Sequence, residues 1–258
     1  MSRRDFTAYV GGWPFHYLPR SGVEDLRALH RDNRISEAWI SSTDAIFYND
    51  PYEADQRLAS ALAQAREYHL VQTVNPLLPG WQEAVKRGVQ ELGSAGVRLY
   101  PSFHGYRLTD ACFHEACAYV WEQGLAVYVN LRMEDDRNTY LFHPRILPPE
   151  ELGEFLRTRP QGPLMLANIF FGELFKNHEA LLECPRVYAD CSGLKDYIFV
   201  FERVASFGLL DRLVYGSLAP VFCMKPSVLA LETDPIPEAA RARIFSGSAW
   251  LHACGWDA

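Results

Sequence analysis

Short runs of β-branched and other apolar residues alternate along this chain with longer segments whose apolar positions recur every three or four residues. The runs are FTAYVG at 6–11, EAWISS at 37–42, HLVQTVN at 69–75, GVRLYP at 96–101, LAVYVNLR at 125–132, PLMLANI at 163–169, RVYADCS at 186–192 and RLVYGSL at 212–218. Their starts lie roughly 23 to 38 residues apart, the length of one strand-helix unit. Between them, VEDLRALHRDN, EADQRLASALAQARE and WQEAVKRGVQEL carry apolar residues at helical spacing, and Gly124 and Gly208 stand where helices should stop. Eight such units predict a closed parallel (β/α)8 barrel, the TIM-barrel architecture, as one α/β domain over residues 1–258. The alternative is an open doubly wound sheet. That fold usually carries a Gly-rich phosphate turn after its first strand, and GGWPF does not have that form.

In a (β/α)8 barrel the chemistry sits at the C-terminal strand ends, and alternate side chains face the interior. The apolar alternate set should face the helices. This sends Val127, Val129 and Leu131 outward and Tyr128, Asn130 and Arg132 inward. By the same parity Arg98 and Tyr100 point inward, as does Asn168. Thr7, Tyr9 and Gly11 share one face, Tyr188, Asp190 and Ser192 another, and Tyr215 and Ser217 form the inward pair of the last strand. The expected site is therefore a polar floor of Tyr9, Arg98, Tyr100, Asn130, Arg132, Asn168, Asp190 and Ser217. His104 and His16 lie just past the strand tips, within aromatic residues that include Trp13, Phe15, Phe103, Tyr106, Phe170 and Phe171. The longest strand-to-helix loop, 133–147, holds Glu134, Asp135, Asp136, Arg137 and His143 and has the length of a lid or substrate loop.

Composition narrows the partners. With 48% hydrophobic and 22% charged residues the chain can bury a large core, and a net charge of -7 without a basic run argues against nucleic acid or an anionic membrane. No apolar run has transmembrane length, and MSRRDF lacks the apolar stretch of a signal peptide. The six cysteines form no Cys-x-x-Cys pair and read as reduced thiols of a cytoplasmic protein. A small molecule is the expected partner, with a homo-oligomer left open.

Each polar candidate has a structural alternative. Arg98 and Asp190 can fill a barrel layer as an ion pair, Asn130 and Asn168 can bond to each other or to buried water, and His104 can brace the HGY turn. Cys191 lies on the helix-facing set of its strand and reads as inert packing.

VGGWPFHYLP after the first strand, GVRLYPSFHGYRL at the fourth, VYADCSGL at the seventh, RLVYGSLAP at the eighth and IFSGSAWLH near the end together resemble the amidohydrolase superfamily. The likeness is to its amidohydrolase-related branch of decarboxylases and lactonases, over the whole chain. The resemblance implies a divalent metal held by a His-x-His on strand one, histidines on strands five and six and an Asp on strand eight. Those places fall here on Tyr9 and Gly11, near Asn130, on Asn168 and on Leu218, and strand four offers Arg98 and Tyr100 instead of a Lys. Tyr, Gly, Asn and Leu are a poor donor set, and inward arginines repel a dication, so no metal or other cofactor is expected. The first reading is a metal-independent hydrolase or related lyase acting on a small carboxylated or lactone-like substrate. Arg98 and Arg132 would hold the carboxylate, Asp190 or His104 would act as base, Tyr9 or Tyr100 would donate to the oxyanion, and Asn130, Asn168 and Ser217 would line the substrate. Two alternatives stand beside it: an inactive barrel that binds a small ligand or a protein, and a metal-dependent hydrolase with a non-standard site drawn from His16, His104, His143 and Asp190.

Overall fold

The structure, a computed structural model, describes residues 2–134, 144–195 and 198–256. The strands are β1 (Arg4–Val10), β2 (Glu37–Ser42), β3 (Tyr68–Thr73), β4 (Gly96–Leu99), β5 (Ala126–Asn130), β6 (Leu164–Ala167), β7 (Val187–Asp190) and β8 (Leu213–Val214). The first helices are α1 (Val23–Asp32), α2 (Pro51–Leu62), α3 (Trp81–Leu92), α4 (Pro101–His104), α5 (Ala111–Glu122) and α6 (Pro149–Arg157). They are followed by α7 (Phe171–Lys176), α8 (His178–Leu182), α9 (Val200–Ala205), α10 (Met224–Thr233), α11 (Glu238–Ser246) and α12 (Ser248–Cys254). The strands pair in chain order from β1 to β8, each parallel to the next. Backbone bonds then join the two edges: Phe6 N–H to the Tyr215 carbonyl at 3.1 Å, Leu218 N–H to that of Thr7 at 2.8 Å, and Tyr9 N–H to that of Ala219 at 2.8 Å. The expected barrel is the one found.

The alternation along the strands separates two apolar regions. Val97, Leu99, Val127, Val129, Leu131, Leu164, Leu166, Val187 and Ala189 pack outward against helices. Inside, Phe6, Trp39, Val71, Tyr128, Met165, Tyr188 and Val214 fill the lower barrel, closed from below by Trp250 and Leu251 of α12. Local signals start the helices: α2 begins with Pro51 after Asp50, whose carboxylate accepts the Tyr52 N–H at 3.1 Å, and α1 has Glu24 and Asp25 in its first turn and Arg31 in its last.

Two departures from strict alternation matter. The register slips in β1 between Asp5 and Ala8, so Phe6 joins the interior while Thr7 reaches Asp190. In β8 the interior residue is Val214, and Tyr215 faces the helices, where its hydroxyl meets Ser227 of α10 at 3.0 Å. The inward assignment of Tyr215 is thus corrected. β8 is only two residues long, and the chain beyond it bends through Gly216. A Cβ at Gly216 would lie 2.1 Å from Thr7 Oγ1 and 2.7 Å from Asp190 Oδ2, so only glycine fits that corner.

All six cysteines are free thiols, and burial pushes those of Cys117, Cys191 and Cys254 up, as an inert packing role requires. No helix among the described residues is long and apolar enough to cross a membrane.

Behind β3, Asp55 of α2 is fully enclosed. Its Oδ2 accepts the Thr73 N–H at 2.7 Å, and its Oδ1 has no partner among the described residues. Burial lifts this carboxyl well above the usual carboxylate range, against the lowering pull of that bond. For an acid raised by folding, the stabilisation is complete below the unfolded pKa, near ~3.9, and is lost as pH rises through the folded value. Asp55→Asn keeps an acceptor for Thr73. It should match the wild-type melting temperature at about pH 4 and exceed it by roughly 2–4 °C at about pH 9. Differential scanning calorimetry at the two values checks this, and a deficit at the higher pH would contradict it.

Candidate functional site

Four of the expected residues converge at the C-terminal end of the barrel. Arg98 of β4 is fully buried and donates through Nη1 to the Tyr9 hydroxyl at 2.5 Å and to Asn130 Oδ1 at 3.3 Å. Nη2 reaches the Phe6 carbonyl at 3.5 Å, and the guanidinium lies 4.8 Å from the Tyr9 ring centre and 5.1 Å from that of Tyr128. It has no carboxylate partner among the described residues, and its Nε–H is unpaired there. Asn130 turns its amide to the Met133 sulfur at 3.1 Å. Tyr100 completes the group. Its hydroxyl lies near Tyr9 and Thr73 but finishes no hydrogen bond. Burial raises both phenols, and in Tyr9 the cation of Arg98 pulls the other way.

An apolar rim covers this floor. Trp13, Leu18, Ile46, Met133 and Leu218 pack with Tyr9 and Tyr100. Trp13 meets Phe15, Phe47 and Phe103 edge to face, with ring centres 5.5 to 5.7 Å apart. Of the aromatic wall expected from the sequence, Trp13, Phe15 and Phe103 come together here. Tyr106 instead packs outward near Phe113, Phe170 lies against Arg132, and Phe171 meets Phe175 and Phe207. Gly11, at φ 123°, lets the chain leave β1 past Thr43, whose Oγ1 a Cβ would meet at 2.4 Å.

His104 ends α4 at this rim. Its Nε2 lies 2.9 Å from the Ile46 carbonyl, which only accepts, so Nε2 carries the proton and Nδ1 the lone pair. That Nδ1 is buried without a partner among the described residues, and burial lowers the imidazole pKa against the pull of the Ile46 carbonyl.

The other expected residues have different surroundings. The Arg132 fork meets both oxygens of Glu173, at 2.9 Å for Nη1, and Nη1 also donates to the Asn168 carbonyl at 2.6 Å. Asn168, at φ 59°, returns its side-chain amide to the Arg132 carbonyl at 3.1 Å. Its backbone N–H donates to Asp190 Oδ1 at 2.9 Å. Asp190 is therefore not paired with Arg98. Its Oδ2 accepts from Thr7 at 2.5 Å, and Oδ1 accepts also from the Ser192 hydroxyl at 2.7 Å and N–H at 3.2 Å. Burial raises this carboxyl against those bonds. Ser217 is a correction in place. Because the chain bends at Gly216, its hydroxyl and N–H turn to Asp5, at 2.5 and 3.0 Å, and Asp5 continues to His30 at 3.3 Å and on to Tyr68. Ser217 thus ties β8 to β1 and α1 and does not line the floor.

Sequence reasoning missed three participants. Thr73 stands across from Arg98 in the β3–β4 register, and Val71 two residues earlier is interior. The parity of HLVQTVN could have found it. Glu173, the partner of Arg132, and Phe47, the fourth ring of the rim, come from loops and short helices where no periodicity points inward.

The divalent metal implied by the resemblance does not fit this floor. The positions at which the resemblance implies ligands present Tyr9, Gly11, Asn130, Asn168 and Leu218, and a guanidinium stands among them. His16 pairs with Glu134 at 3.1 Å, His104 with Ile46, and Asp190 with Thr7 and Ser192, so these three members of the non-standard set have separate surroundings, and the fourth, His143, lies outside the described residues. Among the described residues no three His, Cys, Asp or Glu gather as a metal site. Asp135, Asp136, Arg137 and His143 lie outside the described residues.

No family model matches the sequence, and a comparison with curated proteins finds no match. Solved structures do match. A 5-carboxyvanillate decarboxylase from Novosphingobium aromaticivorans, complexed with manganese and 4-hydroxy-3-methoxy-5-nitrobenzoic acid, covers 97% of this chain and 96% of its own at 15% identity and a TM-score of 0.72. The 2,6-dihydroxybenzoate decarboxylase from Rhizobium covers 100% of both chains at 14% identity and 0.71. An Acinetobacter baumannii protein assigned as a 2-pyrone-4,6-dicarboxylic acid hydrolase, with citric acid bound, covers 99% and 100% at 13% identity and 0.68. Likeness of this extent at such low identity establishes the fold: this chain shares with these decarboxylases and this hydrolase an eight-stranded barrel closed in chain order.

Proposed function

We propose that the barrel mouth binds a small carboxylate and hydrolyses an activated ester, of lactone type, without a resident metal. One observation carries the reading: Arg98 is buried with no acid to balance it among the described residues. An uncompensated buried cation costs several kcal/mol, and a ligand carboxylate supplies the missing charge. The buried Nε–H lacks an acceptor among the described residues, and a carboxylate oxygen is the acceptor that suits it. The neighbouring structures carry the names of a carboxyvanillate, a dihydroxybenzoate and a pyrone dicarboxylate, all small carboxylates.

His104 is the better base of the two candidates, because its Nδ1 lone pair is unused while both oxygens of Asp190 already accept hydrogen bonds. In this mechanism Nδ1 takes a proton from water as the water oxygen bonds to the ester carbonyl. The oxyanion accepts from the Tyr100 hydroxyl, with Tyr9 held beside it by Arg98 and Asn130 as the alternative donor. Collapse breaks the acyl C–O bond, and His104 returns its proton to the leaving alkoxide. Asp190 and Asn168 act as positioning residues: one carboxylate fixes the ends of β1, β6 and β7, and Asn168 holds Arg132 at the rim. An ion pair to Arg98 keeps charge on the carboxylate, which opposes its loss as carbon dioxide and favours hydrolysis over decarboxylation. That no three metal-binding side chains gather among the described residues also favours a second reading, a barrel that binds such acids without turnover.

A screen of carboxylated lactones and esters should find turnover that survives chelation, with well under one equivalent of zinc or manganese in the purified protein by elemental mass spectrometry. A stoichiometric metal lost together with activity would overturn the metal-free mechanism, and binding without product would leave the second reading.

Arg98→Met should lower kcat/KM by about a hundredfold, and mostly through KM. The rate of the wild type should fall on the acid side with a midpoint below about pH 6.5, because burial lowers the His104 imidazole and only its neutral form accepts a proton. His104→Gln should lose both most of kcat and that acid limb. A variant that kept the limb would remove His104 from the mechanism.

A further inference from the structure

Thr73 and Tyr100 leave two hydroxyls unused in the same fully buried floor. Tyr100 is 0% exposed and Thr73 is 3% exposed, and although the Tyr100 hydroxyl lies close to Thr73 and Tyr9, neither Tyr100 Oη nor Thr73 Oγ1 completes a well-formed hydrogen bond among the described residues. Two enclosed hydroxyls without partners carry a cost of about 1–3 kcal/mol each. The backbone does not let them relax. Asp55 holds the Thr73 N–H at 2.7 Å, the Val74 N–H is bonded to the Arg98 carbonyl at 3.1 Å, and Tyr100 is gripped as the residue from which α4 starts. Thr73 stands opposite Arg98 in parallel register, and Tyr100 follows Arg98 by two residues on the same face. Neighbouring strands lie about 4.8 Å apart and alternate residues about 6.6 Å along a strand, which sets both residues beside Arg98 on the same floor.

We infer that Thr73 and Tyr100 form a second, neutral oxygen-binding subsite beside Arg98, which selects carboxylates bearing a further oxygen one or two carbons from the carboxylate. This rests on the carboxylate reading above and sharpens it. The oxygen in the subsite is the ester carbonyl oxygen, and both hydroxyls donate to it as it becomes an oxyanion. The preferred substrate is then an ester or lactone whose scissile carbonyl lies one or two carbons from a free carboxylate. A plain monocarboxylic ester satisfies Arg98 or the subsite, but not both. The selectivity comes from the buried hydroxyls themselves, because a ligand that lacks the second oxygen leaves both unpaired.

The test is calorimetric titration of the folded protein with matched acids. One pair is phenylacetate and mandelate, and the other is 3-phenylpropanoate and 3-hydroxy-3-phenylpropanoate. In each pair the second acid adds one hydroxyl, which accepts the same two donations as a carbonyl oxygen. At least one hydroxy acid should bind about tenfold more tightly than its parent. Thr73→Val keeps the shape, removes the donor and should erase that advantage while leaving the parent acid within about twofold. Thr73→Ser should restore it, which separates a lost donor from a damaged fold. If the parent acids bind in an Arg98-dependent way but the hydroxyl adds nothing, or Thr73→Val changes nothing, the subsite is wrong and the carboxylate reading stands. If none of the four acids binds the wild type, both are overturned.

Discussion

A guanidinium enclosed at the centre of the barrel sets the terms for everything around it. Arg98 cannot lose its proton, so its charge must be balanced where it stands. The protein supplies the Tyr9 hydroxyl, the Asn130 amide oxygen, a backbone carbonyl and two aromatic faces, all neutral. These offset part of the desolvation and leave a net positive floor. Such a floor repels dications and attracts small anions, so one charge underlies both its poor fit to a divalent metal and the proposed binding of a carboxylate.

The buried acids of the barrel are committed elsewhere. Asp190 collects Thr7, Ser192 and the Asn168 N–H, and so joins β1, β6 and β7 at their tips. Asp5 does the same lower down for Ser217 and His30, where β8 is too short to hold the seam by ladder bonds alone. Arg132 has its own acid in Glu173. The molecule thus separates its carboxylates from Arg98 and spends them on closure, and the strain of the unbalanced cation stays at the mouth.

The rim follows the same logic. Trp13 and Phe15 from the loop after β1, Phe47 from that after β2 and Phe103 from α4 cover the floor with apolar rings. In the low-dielectric space beneath them a guanidinium, a phenol hydroxyl and a neutral imidazole interact more strongly than they would in water. The same enclosure holds His104 in its neutral form and fixes its tautomer through the Ile46 carbonyl.

The sequence by itself determined the barrel. Period-two strands and helical segments repeat eight times, and the parity of GVRLY and AVYVN placed Arg98, Tyr100 and Asn130 inside, because a strand turns alternate side chains to opposite faces whatever lies beyond it. The parity of β1 was legible only in part, since a bulge resets it, and that of β8 failed at Tyr215 and Ser217, where the chain bends at a glycine that only the crowding of Thr7 and Asp190 explains. Partners were not legible at all. That Arg132 meets Glu173 and Asp190 meets Thr7, while Arg98 meets no acid among the described residues, depends on which loops and strand ends come within 3 Å of one another. Those distances follow from closing the barrel. Periodicity tells which way a side chain points, and only the tertiary structure decides what it finds there.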